Sequence, residues 1–384
     1  MVSRAQRSPF ADWWRTVDRP MLAALIALML AGIILSLAAS PPVAARLGLD
    51  PFYFVHRHVM YLAPALAVML TTSLLAPRHI RRIALVVFAV AFLMVLATPF
   101  LGAEVKGARR WIVLAGVNIQ PSEFLKPAFV ILIAWLFAQS AKRPEMPANT
   151  IALLMLFATV AALVRQPDFG QTMLIALVWG ALFFTAGMRV IWVLGLAGTA
   201  AAGLAVAYTT VPYVMKRIQR FLDPASGDTF QIDTATDAFR HGSWFGRGPG
   251  EGTFKQYLPD AHADFVFAVA AEEFGIVLCL ILLALICFIV VRALIRAMKN
   301  DDPFARFANA GLAILFGAQS AINMAVNVSL IPAKGMTLPF ISYGGSSIVS
   351  LAFGMGMLLA LGRERPRAGL IADAEAPALA ASPA

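Results

Sequence analysis

A few polar runs in an otherwise apolar chain hold the residue types that can do chemistry. In Leu258-Pro259-Asp260-Ala261-His262-Ala263-Asp264-Phe265 a carboxylate, Asp264, comes just before a long apolar run. Two roles fit that placement and do not exclude each other. Asp264 would cap the following helix by accepting from its first free N–H groups. It would also serve as a general base at the edge of a partly dry, cationic cleft, taking a proton from a hydroxyl.

In Gln120-Pro121-Ser122-Glu123-Phe124-Leu125-Lys126-Pro127 an acid and a base stand three positions apart, close enough to pair on one helical face. An intramembrane ion pair and a substrate contact are equally good readings of Glu123 and Lys126. The run Gly246-Arg247-Gly248-Pro249-Gly250-Glu251-Gly252 would let backbone N–H groups approach an anion, with Arg247 supplying charge, or would act as a hinge. It lacks the Lys-Ser/Thr ending of a nucleotide loop, and Pro249 removes one donor, so nucleotide binding is rejected. Arg165-Gln166-Pro167-Asp168-Phe169-Gly170-Gln171 reads as a tight turn. Asn323 and Asn327, one turn apart, read as a helix–helix hydrogen-bonding pair.

The elements that must position these groups are set by composition. Hydrophobic residues make up 60% of the 384 and charged residues 14%, which leaves apolar surface that must face lipid. A span needs roughly 20 mostly apolar residues. Such runs recur near 21–39, 59–76, 82–101, 121–139, 150–165, 170–187, 189–209, 265–292, 307–330 and 340–361. The expected fold is therefore all-α: a polytopic membrane protein of about ten transmembrane helices, with a long extracytoplasmic loop, 210–264, between helices 7 and 8.

Charge sets the sidedness. The N-terminal segment 1–20 and the turn holding Arg78, Arg81 and Arg82 go to the cytoplasm by the positive-inside rule, and an even span count puts both termini there. The tail 366–384 is Ala- and Pro-rich without periodicity and is expected to be disordered. The 210–264 loop carries many aromatic residues and is expected to hold short amphipathic or re-entrant helices. Glu272 and Glu273, about two turns into the eighth span, should face the bundle interior or a polar cavity. His56, His58 and His79 sit at span ends, where an interfacial place is expected.

The net charge of +10 is scattered between apolar runs instead of gathered on one face, which argues against nucleic acid. The outer loops nevertheless carry Lys106, Arg109, Arg110, Arg247, Lys255 and Lys334, against the positive-inside bias. Lipid headgroups, or Asp223, Asp228, Asp233 and Asp237, would satisfy some of them; together they favour a phosphate-bearing ligand. Cys279 and Cys287 lie about 12 Å apart along one helix, and no histidine spacing suggests a metal cage.

The 120–127, 166–171 and 258–265 runs resemble one known family when taken with Gly107-Ala108-Arg109-Arg110-Trp111-Ile112 and the run from Lys334-Gly335-Met336-Thr337-Leu338-Pro339 through Ser347. The family is SEDS (shape, elongation, division and sporulation), ten-span membrane glycosyltransferases, and the resemblance covers residues 21–365. Within it, the Lys334–Ser347 run and the Gly-Pro-Gly-Glu-Gly segment look more like the division branch than the elongation branch.

The resemblance implies polymerisation of lipid II into peptidoglycan strands outside the inner membrane, at the division septum. It implies partnership with a class B penicillin-binding protein, a transpeptidase, and with other divisome proteins. It matches Asp264 to the family's essential aspartate, hence to the catalytic base. It matches Arg109, Lys126 and Lys334 to basic positions and Glu123 to the family's acid. With Arg247 and His262 these are the expected substrate-binding residues, and a divalent cation, Mg or Mn, at the pyrophosphate would fit them. One departure is Ala263, where Thr or Ser is usual, so a hydroxyl beside Asp264 is missing. A transporter flipping the lipid-linked precursor, and a silent scaffold, are the competing readings.

Overall fold

A computed structural model of the protein describes residues 9–105, 108–114, 116–223, 230–332 and 335–363. Lys106, Asp228, Lys334 and the 366–384 tail lie outside the described residues.

Ten apolar helices occupy the ten expected runs. They are α2 (Arg19–Arg46), α3 (Tyr53–Ser73), α4 (Pro77–Leu101), α5 (Pro121–Lys142), α6 (Ala148–Arg165), α7 (Phe169–Thr185), α8 (Val190–Thr210), α11 (Val266–Met298), α12 (Pro303–Asn327) and α13 (Gly345–Leu361). Seven of these are long and apolar enough to cross a membrane by length and composition, and α7 and α13 are shorter apolar helices. A short helix α1 (Pro9–Thr16) precedes them. The long loop holds α9 (Pro212–Leu222), α10 (Phe230–Gly242) and a 3₁₀ turn at Phe254–Gln256, as its aromatic content led one to expect.

Local signals explain the helix starts. Asp18 caps α2 by accepting from Met21 N, Asp168 caps α7 through Gln171 N, and Asp302 caps α12 through Phe304 N. α3 begins at Tyr53, six residues before the expected boundary, so His56, Arg57 and His58 lie within a helix. His58 is fully buried, not interfacial. The expectation failed because the consecutive polar residues His56, Arg57 and His58 were read as loop.

The all-α expectation needs one amendment. Strands β1 (Ala103–Val105), β2 (Ala108–Leu114) and β3 (Val117–Ile119) form a small antiparallel sheet in order β1-β2-β3 between α4 and α5. β2 reads Ala-Arg-Arg-Trp-Ile-Val-Leu, whose aromatic and β-branched residues favour a pleated surface.

In cross-section α5, α12 and α13 form the inside of the bundle. α13 packs on α3 and α5, and α12 on α5, α7 and α11. α8 leans outward against α7 and α9, and none of its described side chains is buried. Between lipid-facing helices, close packing and polar contacts replace the hydrophobic effect as the force that joins them. A second, smaller core lies at one end of the bundle, where Ala39 and Val43 of α2, Phe54 of α3, Ala238 of α10, Phe265 and Val326 enclose Leu258 and Ala261. That core fixes the turn carrying Asp264.

At the opposite end, helix termini expected on one side meet. Arg292 Nε reaches both Asp18 oxygens at 2.8 Å, Arg296 Nε lies 2.6 Å from Asp18 Oδ2, and Arg363 Nε donates to Thr16 Oγ1.

Candidate active site

α11 is 33 residues long and is broken at Gly275 (φ 81°, ψ 178°). Across the break, Arg247 N and Gly248 N donate to the Glu272 and Glu273 carbonyls, while Ile276 N and Val277 N donate to the Ser243 and Trp244 carbonyls. The loop therefore supplies the backbone partners that the broken helix loses. A Cβ on Gly275 would stand 2.2 Å from Trp244 O, and φ there is left-handed, so both space and conformation require glycine.

This arrangement shows what part of the glycine run does in the fold. The N–H groups of Arg247 and Gly248 are committed to α11, and the exposed Arg247 side chain donates from Nε to His241 O at 2.8 Å. The run is a splice to the broken helix. Arg247 stands at the far end of the half-helix 266–274, about 14 Å along its axis from its start.

Glu272 and Glu273 are both buried, as expected, and organise the same loop. Glu272 accepts three backbone N–H groups, from Thr253 (2.6 Å), Phe254 (2.8 Å) and Lys255 (2.9 Å). Glu273 pairs with Lys255 Nζ. Each buried carboxylate thus has charge-assisted partners.

Asp264 lies half-buried in the turn before α11, and its N–H donates to Asp260 O at 3.1 Å. The N-cap position belongs to Phe265, with no side-chain cap bond of its own. The cap acceptor comes from elsewhere: Asn327 Oδ1 accepts from Ala268 N at 3.1 Å. The Asp264 carbonyl accepts from Asn323 Nδ2 (3.0 Å) and Asn327 Nδ2 (2.9 Å). Gly335 lies against the Asp264 carboxylate.

His262 joins this group. Its ring is tilted against those of Phe54 and Tyr343, with centroids 4.1 Å and 5.4 Å away, and its carbonyl accepts from Tyr343 N at 2.9 Å. The Arg57 guanidinium lies beside the Tyr343 hydroxyl, and burial pushes that hydroxyl above its usual range against the pull of Arg57. Arg57 and Tyr343 escaped sequence reasoning as functional groups. The helical spacing of Phe54, Arg57 and Tyr61 was the available signal, hidden by reading 40–58 as loop.

Glu123 and Lys126 form a buried pair, with Lys126 Nζ 2.9 Å from Glu123 Oε2. Lys126 also donates to Gln319 Oε1 at 2.9 Å, and Gln171 Nε2 donates to Glu123 Oε1 at 2.7 Å. Gln319 Nε2 continues to Thr337 O at 3.1 Å, and Asn323 Nδ2 to Met336 O at 2.6 Å. The 336–337 segment thus bridges the Glu123–Lys126 pair and the Asp264 turn.

Strand register separates Arg109 from Arg110. Arg109 is exposed, 3.5 Å from Glu104, with a bond to Pro99 O. Arg110 points the other way, donating to Gln166 O (3.2 Å) and Pro167 O (2.6 Å) and standing 3.8 Å from Asp168. Burial raises the Asp168 carboxyl above its ordinary range, opposed by Arg110 and the Gln171 N–H. Among the described residues, Asp264, His262, Glu123 and Lys126 are therefore joined through α12 and the 336–343 segment, whereas Arg109 and Arg247 stand apart.

Comparison with known proteins supplies an independent line. Residues 19–367 match the model of the cell cycle protein family of FtsW, RodA and SpoVE. A protein of Caulobacter vibrioides named a probable peptidoglycan glycosyltransferase FtsW is 47% identical over 367 residues, covering 95% of this chain and 94% of that one. Its namesake from Pseudomonas fluorescens is 36% identical over 354 residues, covering 89% and 87%. Among solved structures, a chain from a peptidoglycan synthase complex described as coordinating polymerization and crosslinking superposes with a TM-score of 0.75. It is 25% identical, with 90% of this chain and 97% of that one covered. The rod shape determining protein RodA of Thermus thermophilus shares the fold at a TM-score of 0.67, 23% identity and coverage of 92% and 99%.

Proposed function

The chain belongs to the cell cycle protein family of FtsW, RodA and SpoVE, a peptidoglycan glycosyltransferase of the FtsW kind, and we propose that it polymerises lipid II at the division septum with Asp264 as the base. The observation that carries the role of Asp264 is its placement. Asp264, half-buried at the proposed outer end of the bundle, is tied by its backbone carbonyl to α12, whose Gln319 accepts from the buried Lys126 of α5.

In this reaction Asp264 takes the proton from the 4-hydroxyl of the acceptor sugar. The oxygen attacks the anomeric carbon of the donor, the bond from that carbon to phosphate breaks, and undecaprenyl pyrophosphate leaves with the electron pair. One displacement inverts the α-linked donor to a β-linked strand, so no carboxylate nucleophile is needed. Lys126, Arg57 and Lys334 are the cations proposed to meet the developing pyrophosphate charge. His262, packed between Phe54 and Tyr343, shapes the acceptor side of the turn.

Among the described residues no three His, Cys, Asp or Glu side chains come together as a metal site. A divalent cation at the pyrophosphate would draw most of its ligands from phosphate oxygens and water, with one or two carboxylates at most, and no step is routed through one.

The basic helix ends gathered around Asp18 support a cytoplasmic location for both termini, with the Asp264 end outside. A class B penicillin-binding protein is the proposed crosslinking partner. Its support is the fold shared with a chain of a complex that polymerises and crosslinks.

The test is glycan polymerisation from purified lipid II with that partner, wild type against Asp264→Ala, with moenomycin present to silence unrelated polymerases. Polymer from wild type alone supports the reading. Polymer from both places the base elsewhere, and polymer from neither, with folding and partner binding intact, turns the reading to a precursor flippase or a scaffold.

A further inference from the structure

α12 presents Gln319, Asn323 and Asn327 at intervals of four along one face, all of them buried. Asn327 has an unusual place among them. In a helix begun one turn earlier, the Asp264 carbonyl would accept from Ala268 N, four residues on. Here the Asn327 amide stands between the two, donating to Asp264 O at 2.9 Å and accepting from Ala268 N at 3.1 Å. It meets both groups that would wind α11 back over Asp264, Ala268 N also donating to Phe265 O at 3.0 Å. Asn323 adds a second donor to the same carbonyl and ties it, through the same Nδ2, to Met336 O beside Gly335.

Resting on the reading of Asp264 as the base, we propose that Asn323 and Asn327 are positioning residues: their amides hold the Asp264 peptide outside α11 and so aim its carboxylate. A helix cap alone needs only the Asn327 Oδ1 bond to Ala268 N. The two donors to a carbonyl preceding the helix go beyond that requirement. They fix the plane of the 264–265 peptide, and with it the direction in which the Asp264 Cβ leaves the backbone. Without them the turn can wind into the helix, and the carboxylate leaves its place by more than the ångström that costs on the order of 100-fold in rate.

The experiment uses the full chain with its penicillin-binding partner and lipid II, measuring kcat, KM and melting temperature for Asn327→Asp, Asn327→Leu and Asn323→Leu. Asn327→Asp keeps an acceptor for Ala268 N and loses the donor to Asp264 O. It is expected to melt near wild type, hold KM within about twofold and lose kcat on the order of 100-fold across the pH range. Asn323→Leu should show the same split between kcat and KM. Wild-type kcat in Asn327→Asp, with only Asn327→Leu losing stability, would reduce both residues to structural glue and overturn the proposal. So would a loss in Asn327→Asp that is recovered at higher pH, since that is a charge effect on the base. Asp264→Asn run alongside separates the two readings. If it polymerises, the base assignment fails; if it is inactive while the Asn variants keep wild-type kcat, only the positioning inference fails.

Discussion

Gly335 leaves room for the Asp264 carboxylate: a Cβ at position 335 would lie 3.1 Å from Asp264 Oδ2. The segment following Lys334 therefore passes over the proposed base with no side chain between them. Asn323 holds that segment at Met336 O and the base at its own carbonyl, so the two are set relative to each other by a single amide.

Replacing Gly335 by alanine should press on the carboxylate without disturbing the bundle. The expected result is a several-fold drop in kcat for lipid II polymerisation at an unchanged melting temperature, with Gly335→Val losing more, in the range of a misplaced catalytic group of roughly 10- to 100-fold.

Removing the proposed base itself should cost more. General-base catalysis contributes about 10²- to 10⁴-fold. Asp264→Asn should lose at least the lower figure in initial rate while still co-purifying with the penicillin-binding partner.

The buried pair of Lys126 and Glu123 gives a stability test. Lys126→Met leaves Glu123 buried with Gln171 but without its cation, which is expected to cost about 3–5 kcal/mol. Lys126→Met combined with Glu123→Gln should recover most of that in chemical denaturation. If Lys126 also meets the pyrophosphate, the double variant will fold and remain inactive.

The break in α11 admits glycine alone. Gly275→Ala places a Cβ 2.2 Å from Trp244 O at a left-handed φ. A backbone strain of roughly 1–3 kcal/mol adds to the clash. The variant should melt well below wild type, and limited proteolysis should cut first within 243–252, where the splice to α11 is lost.

Asp168 sets a pH dependence. Its carboxyl is raised by burial in the folded protein above its usual value near 3.8. Its folded form therefore binds a proton more readily than its unfolded form. The stability it contributes is complete below the unfolded value and is lost as pH rises through the raised one. Melting temperature should fall over that window in wild type, and Asp168→Asn should flatten this part of the profile.

Much of this protein was legible from the chain alone. The number and order of the helices follow from the apolar runs, because span length is fixed by bilayer thickness and is a local property of sequence. The acid–base spacing of Glu123 and Lys126 gave their pairing, since residues three apart share a helical face. Glu272 and Glu273 were placed inside because lipid will not take two adjacent carboxylates.

What remained hidden depends on contacts between distant residues. No local pattern shows that Arg110 turns inward and Arg109 outward, because strand register decides which side of β2 each takes. The glycine run reads equally as anion cradle and hinge, and nothing local shows that the Arg247 and Gly248 N–H groups are taken by the broken helix. Asp264 looked like the cap of α11, yet the cap is Asn327, 59 positions away from Ala268. Sequence supplied the carboxylate and its place just before α11; only the packing of α12 against the 258–265 turn decides where that carboxylate points, because the amides that hold its carbonyl reach it through space and not along the chain.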